Sequence, residues 1–200
     1  EIVLLGQNID AYGRDLPEYR RARLLQHYAR RGRRDPGLYL SFVNFAAAGD
    51  EGDVFGNVLA ILCGLADESM GQRIVKTVRA AGAAHPYPVR VVLHPLSQRN
   101  ELWRPYMARH RQNHPDQYHN GGVWPFVGGF WVMALRRLGL QGCARDAFVR
   151  LAHANLLDDA RFTEWFHGRT LAPMGMAGQS WNAAAFLLAL RALSGGSTTL

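Results

Sequence analysis

The stretch of this chain best suited to proton chemistry is Phe162-Thr163-Glu164-Trp165-Phe166-His167-Gly168. A carboxyl group flanked by Phe162, Trp165 and Phe166 is partly removed from water, which suits Glu164 to take up or release a proton. The plainer reading is a glutamate turned to solvent, or one that caps the turn at Gly168. The second such stretch is Tyr118-His119-Asn120-Gly121-Gly122-Val123-Trp124-Pro125. Gly121-Gly122 opens dihedrals closed to other residues and permits close approach to the backbone. Pro125 fits the first turn of a helix, where a missing N–H costs nothing. His119, Asn120 and Trp124 are therefore expected on a loop at a helix N-terminus, where binding groups are commonly built. A polar pair beside an indole suits a hydroxyl-rich ring, with Trp124 covering the apolar face. The alternative is a buried turn with a satisfied histidine and a core tryptophan.

Two further groups stand at expected helix starts. Asp50, Glu51 and Asp53 precede an apolar run, where acidic side chains cap the helix and complement its dipole. Asp53 is closest to that run and is placed either to cap it or to reach a ligand. Gln179-Ser180-Trp181-Asn182 opens the final apolar run; its polar members cap the helix or face a pocket, and Trp181 reads as core. His85, His94, His110, His114 and His119 lack the paired spacing of a helical metal site, and no serine-nucleophile or phosphate-loop pattern occurs. Neither metal nor cofactor is expected.

These groups need a scaffold, and the periodicity supplies helices. Residues 17–31 start at Pro17 and are followed by Gly32, with Leu24, Leu25 and Tyr28 at helical spacing. Further helices are expected over 54–66, 70–81, 126–138, 144–157 and 179–193. Residues 38–48 are ambiguous between an extended entry and a helix. Residues 85–105 carry four prolines and form a long irregular connection, a length that usually accompanies a function. The class is all-α, with short links alternating with long loops. A barrel or a solenoid of helix pairs fits better than a simple bundle, and local spacing leaves those two open.

Two hundred residues at 48% hydrophobic content can bury a core within one domain. No apolar run approaches the ~20 residues of a membrane span, nothing resembles a signal peptide, and a cytoplasmic location is expected. The chain begins at Glu1 without a methionine, so an upstream part is expected. Cys63 and Cys143 sit in apolar helical surroundings and read as two buried thiols in a reducing compartment. The net charge of +7 comes largely from Arg20, Arg21, Arg23, Arg30, Arg31, Arg33 and Arg34. These read as the solvated face and C-terminal end of one helix rather than a nucleic-acid footprint.

Taken together, Gly52-Asp53-Val54-Phe55-Gly56-Asn57-Val58-Leu59-Ala60, the stretch from Tyr118 to Gly129, Glu164-Trp165-Phe166-His167-Gly168 and Gln179-Ser180-Trp181 resemble one group of families. The chain is similar, over roughly residues 20–194, to the C-terminal part of an (α/α)6-barrel glycoside hydrolase. The nearest families are the bacterial amylo-α-1,6-glucosidase-like (glycogen-debranching) proteins and the alkaline/neutral invertases. The resemblance implies a partial helical toroid over residues 17–200, with long loops on the active-site rim. It also implies a cofactor-free, inverting hydrolase of α-glucosidic or sucrose-like bonds. Such enzymes hold an acid and a base ~6.5–9.5 Å apart, leaving room for the attacking water. The base falls on Glu164, and His119, Asn120, Trp124, Gln179, Asp53 and Trp165 would line the oligosaccharide or disaccharide site. The acid belongs upstream of Asp53, and residues 1–49 hold no match for it. One rival is a non-catalytic helical carbohydrate-binding or scaffold module. Residues 1–16 resemble instead a segment of the radical-SAM methylthiotransferases that modify transfer RNA. An RNA-modification protein is the second rival, from that match and the basic charge, against which stands the absence of the cluster-binding cysteine triplet.

Overall fold

The computed structural model describes residues 34–43 and 48–196. The expected helix over 17–31, the segment 1–16 and all the clustered arginines except the exposed Arg34 lie outside them. In chain order the elements are β1 (Phe42–Val43), β2 (Ala48–Gly49), α1 (Val54–Leu62), α2 (Glu68–Ala80), a 3-10 segment (Pro105–Arg111), α3 (Pro125–Arg137), α4 (Gln141–Ala160), β3 (Trp165–Phe166), β4 (Pro173–Met174) and α5 (Ser180–Leu193). Short antiparallel pairs join β1 to β2 and β3 to β4; among the described residues the rest is helices and the irregular segments between them.

Each helix forms for a local reason. α1 starts at Asp53, whose carboxylate accepts the Gly56 N–H at 3.2 Å. It stops four residues earlier than its apolar run predicts, because Gly64 takes a left-handed φ of 75° just beyond the Cys63 cap. Asp67 caps α2 through the Met70 N–H at 2.7 Å, which moves that start ahead of residue 70. α3 begins at Pro125 and has no cap from its own chain entry. α4 runs to Ala160, with non-helical dihedrals from Leu157 through Asp159. The ambiguous 38–48 region is extended where it is described.

α3 lies at the centre and packs against α1, α4 and α5. Its consecutive glycines set those distances. A Cβ on Gly129 would stand 2.5 Å from the Ala185 carbonyl of α5, and one on Gly128 would strike Pro88. The core includes Trp124, Trp131, Trp165, Ile61, Leu62, Ile74, Leu135 and Leu151, all at most 2% exposed. Neither cysteine is buried: Cys63 is exposed and Cys143 half-buried, and both are free. Their apolar neighbours in sequence occupy the inward sides of the helices, which leaves the thiols on the flanks.

The helix starts are laced together by extended segments. Val54 N–H donates to Val91 O at 2.9 Å, Val91 N–H to Gly122 O at 3.0 Å, and Val123 exchanges two bonds with Phe166. This row runs from the entry of α1, through residues 90–93, to the entry of α3 and on to β3 and β4. The loops that precede α1, α3 and α5 are thereby gathered into one rim. The class read from the sequence, all-α with long loops between helices, is the class observed.

Candidate active site

The rim gathers aromatic rings around one histidine and one glutamate. Trp124 is buried at the entry of α3, and its indole N–H donates to Tyr118 O at 3.0 Å. The His119 imidazole lies flat on the Trp124 indole, centroids 4.9 Å apart and planes within 3°. Tyr118 leans against both rings, and its edge meets Trp165 at 5.8 Å. The His119 residue is exposed, yet one ring face is covered by the indole. Loss of water from that face lowers its pKa below the ordinary imidazole value, and the negative charge of Glu164 partly opposes the shift. The loop of Glu164 borders that of His119 through the contact of Trp165 with Tyr118.

Glu164 precedes β3 and is half-buried. Its N–H donates to Met176 O at 2.8 Å, and its Oε2 accepts the Met176 N–H at 3.0 Å. The second carboxylate oxygen accepts nothing among the described residues. Gly175, at a φ of 75°, gives the room: a Cβ there would collide with Glu164 Oε2. Trp165 is buried behind the glutamate, and its indole N–H lacks a partner among the described residues. A carboxylate with one oxygen tied to the backbone and the other open can accept a proton from a water in front of it.

Asn120 serves the loop from within. It is 5% exposed; its Oδ1 accepts Leu96 N–H at 2.7 Å, and its Nδ2 donates to Leu96 O and Asn113 O at 2.8 and 3.0 Å. With both donors engaged, the amide fixes the loop that carries His119 rather than facing the cleft. Asp53 stands further along the row, as the cap of α1, with its pKa raised mainly by burial and further by Glu51. Gln179, half-buried at the start of α5, is tied to the site through its backbone N–H to Phe162 O at 3.2 Å. The rim thus joins His119, Trp124, Trp165, Glu164 and the Gln179 entry of α5, with Asp53 at its far end.

Trp181 is the aromatic that the sequence reading misplaced. It is 47% exposed rather than core, with its ring edge-on to Trp124 at 6.2 Å and tilted over Phe126 at 5.6 Å. The position before Asn182 turns outward because Asn182 takes the buried side of the first turn of α5. Its nearness to a polar helix entry was the available signal.

The described helices, whose starts converge on an aromatic and acidic rim, form one part of an (α/α)6 toroid. Solved structures share this fold. A GH63 mannosylglycerate hydrolase from Thermus thermophilus, in complex with glucose, superposes with a TM-score of 0.54 at 21% identity, over 78% of this chain and 36% of that one. An uncharacterized conserved protein from the same organism gives a TM-score of 0.58 at 19% identity, over 79% of this chain and 35% of that one. In sequence, residues 53–195 match the alkaline and neutral invertase family. The chain belongs to that family. Neutral/alkaline invertase 1, mitochondrial, of Oryza sativa subsp. japonica is 26% identical over 137 residues, 66% of this chain and 21% of the relative. The chain therefore spans about a fifth of that relative and about a third of the similar solved structures. Among the described residues, no helix is long and apolar enough to cross a membrane.

Proposed function

We propose that this chain supplies the base side of an inverting glycoside hydrolase acting on α-glucosidic or sucrose-like bonds, with Glu164 as general base. The observation that carries the reading is the Glu164 carboxylate, one oxygen open, beside the His119–Trp124 stack on the rim of helix starts. Glu164 takes a proton from water as that water attacks the anomeric carbon from the face opposite the leaving group. His119 and the exposed Trp181 offer a hydrogen-bonding edge and an apolar face to the sugar, with Trp124 as the floor under His119. Asn120 and Trp165 hold these groups from behind, and Gln179 and Asp53 flank them. Family membership favours the sucrose-like bond over the debranching activity of the amylo-α-1,6-glucosidase-like proteins.

The acid that protonates the glycosidic oxygen is assigned to an upstream part of a longer, cytoplasmic protein, and the 200-residue chain alone is expected to turn over little or no substrate. A non-catalytic helical carbohydrate-binding or scaffold module is the second reading, because residues 1–49 hold no match for the acid. The test is a hydrolysis screen of the full-length protein against sucrose, trehalose, isomaltose and branched dextrins, with Glu164→Gln beside it. General-base assistance is typically worth ~10²–10⁴-fold, so kcat should fall by that much with little change in sugar binding. Unchanged kcat removes Glu164 from the mechanism, and strong turnover by residues 1–200 alone contradicts the division between upstream acid and base.

A further inference from the structure

Asn182 is a fully buried polar side chain that the reaction scheme above does not use. It lies in the first turn of α5 at 0% exposure. Its Oδ1 accepts the Phe126 N–H at 3.0 Å, across 56 residues of sequence. That N–H is one of the free donors in the first turn of α3, which has no side-chain cap at Trp124. Its Nδ2 donates to Thr163 O at 2.7 Å and reaches Glu164 O at 3.5 Å. One amide thus touches three elements: the helix it belongs to, the helix start that carries the Trp124 floor, and the backbone of Glu164 itself.

The consequence is geometric. Among the described residues, the Glu164 side chain is tied only to Met176 in its own loop, and that bond fixes the carboxylate relative to that loop. Among the described residues, the Asn182 amide is a direct side-chain tie from the backbone of Thr163 and Glu164 to the α3 entry. Both ends of the amide are needed: the oxygen takes an N–H and the nitrogen gives to carbonyls, so neither a carboxylate nor an alkyl group can do both.

We propose that Asn182 is a positioning residue that sets the Glu164 carboxylate against the His119–Trp124 stack. This rests on Glu164 being the general base. Asn182→Asp keeps the acceptor for Phe126 but replaces the donor by an oxygen facing two carbonyls, so the Glu164 backbone is pushed away. Asn182→Ala removes both ends.

The experiment is a double-mutant cycle in the full-length protein with sucrose, comparing wild type, Asn182→Asp, Glu164→Gln and the double variant. A misplacement of about 1 Å typically costs on the order of 10²-fold, so Asn182→Asp should lower kcat by about that factor with KM little changed. In the Glu164→Gln background the same change should lower kcat only slightly, because there is no base left to misplace. Equal losses in both backgrounds, or a loss in KM with kcat preserved, would overturn the proposal while leaving Glu164 as base. Unchanged kcat for Glu164→Gln itself fails the underlying reading instead. Should the Asn182 variants not fold, the wild-type protein still decides: the Asn182 side-chain amide protons should exchange slowly with solvent by NMR, and fast exchange removes the brace.

Discussion

The two loops that meet at the rim are held by opposite means. The loop that carries His119 is closed from inside by a side chain with no chemical duty. Asn120 engages Leu96 and Asn113, Gly121 sits at a φ of 104° against Pro95, and the Trp124 indole N–H takes Tyr118 O. The loop that carries Glu164 is closed by the Glu164 carboxylate itself, through Met176, and by glycine at 175. Left-handed dihedrals that disfavour residues with a Cβ occur in both, at Asp116 and Tyr118 in the first loop and at Asp158, Asp159, Ala160 and Phe162 on the approach to the second. Asp158 holds that turn with Arg161 at 2.5 Å and receives Thr163 Oγ1 at 3.3 Å. The difference separates two tasks. On the roles proposed above, the sugar platform is fixed by a buried amide within its own loop, whereas the base is fixed by Met176 and by an amide from the neighbouring helix.

The largest expected effect lies in the braced loop. Asn120→Asp removes the donors to Leu96 O and Asn113 O and buries a charge in their place, which should cost about 3 kcal/mol of stability. Denaturant unfolding measures it; a loss under about 1 kcal/mol would mean that the loop closes without the amide. The matching change on the other side is smaller in stability and larger in rate. Gly175→Ala places a Cβ on Glu164 Oε2 and forces alanine into a left-handed φ, a cost of about 1–2 kcal/mol. Because the displaced atom is the carboxylate itself, kcat of the full-length protein should fall more than the stability loss alone implies. Equal kcat in wild type and variant would show that Glu164 tolerates movement, against its role as base.

How much of this was legible follows from the range of the contacts. Asp53 as a cap and the starts of α1, α3 and α5 rest on neighbours a few residues apart, and spacing alone shows them. The apolar run continues four residues beyond the end of α1 because Gly64 stops the helix inside it. The exposure of Cys63 and Trp181 depends on which side of a helix meets a neighbour, which an apolar run does not encode. The amide braces were least visible. Asn120 reaches 24 residues back and Asn182 reaches 56, and nothing in an isolated asparagine announces a backbone partner so far away.

The smallest effect reads the coupling between the two loops directly. Burial against Trp124 lowers the His119 pKa below 6.5, and the Glu164 charge pulls it back up. An imidazole with a depressed folded-state pKa is harder to protonate in the native protein than in the unfolded chain. Stability therefore falls as pH drops through 6.5, until the folded pKa is passed and both states carry the proton. Glu164→Gln removes the opposing carboxylate while keeping the side chain's size. The His119 titration, followed by NMR, should then move to lower pH than in wild type, and the window of falling stability should extend further into acid. A charge that faced away from His119 would leave the titration where it was. An unmoved His119 in Glu164→Gln would therefore separate the two loops, even if each kept its own internal bonds.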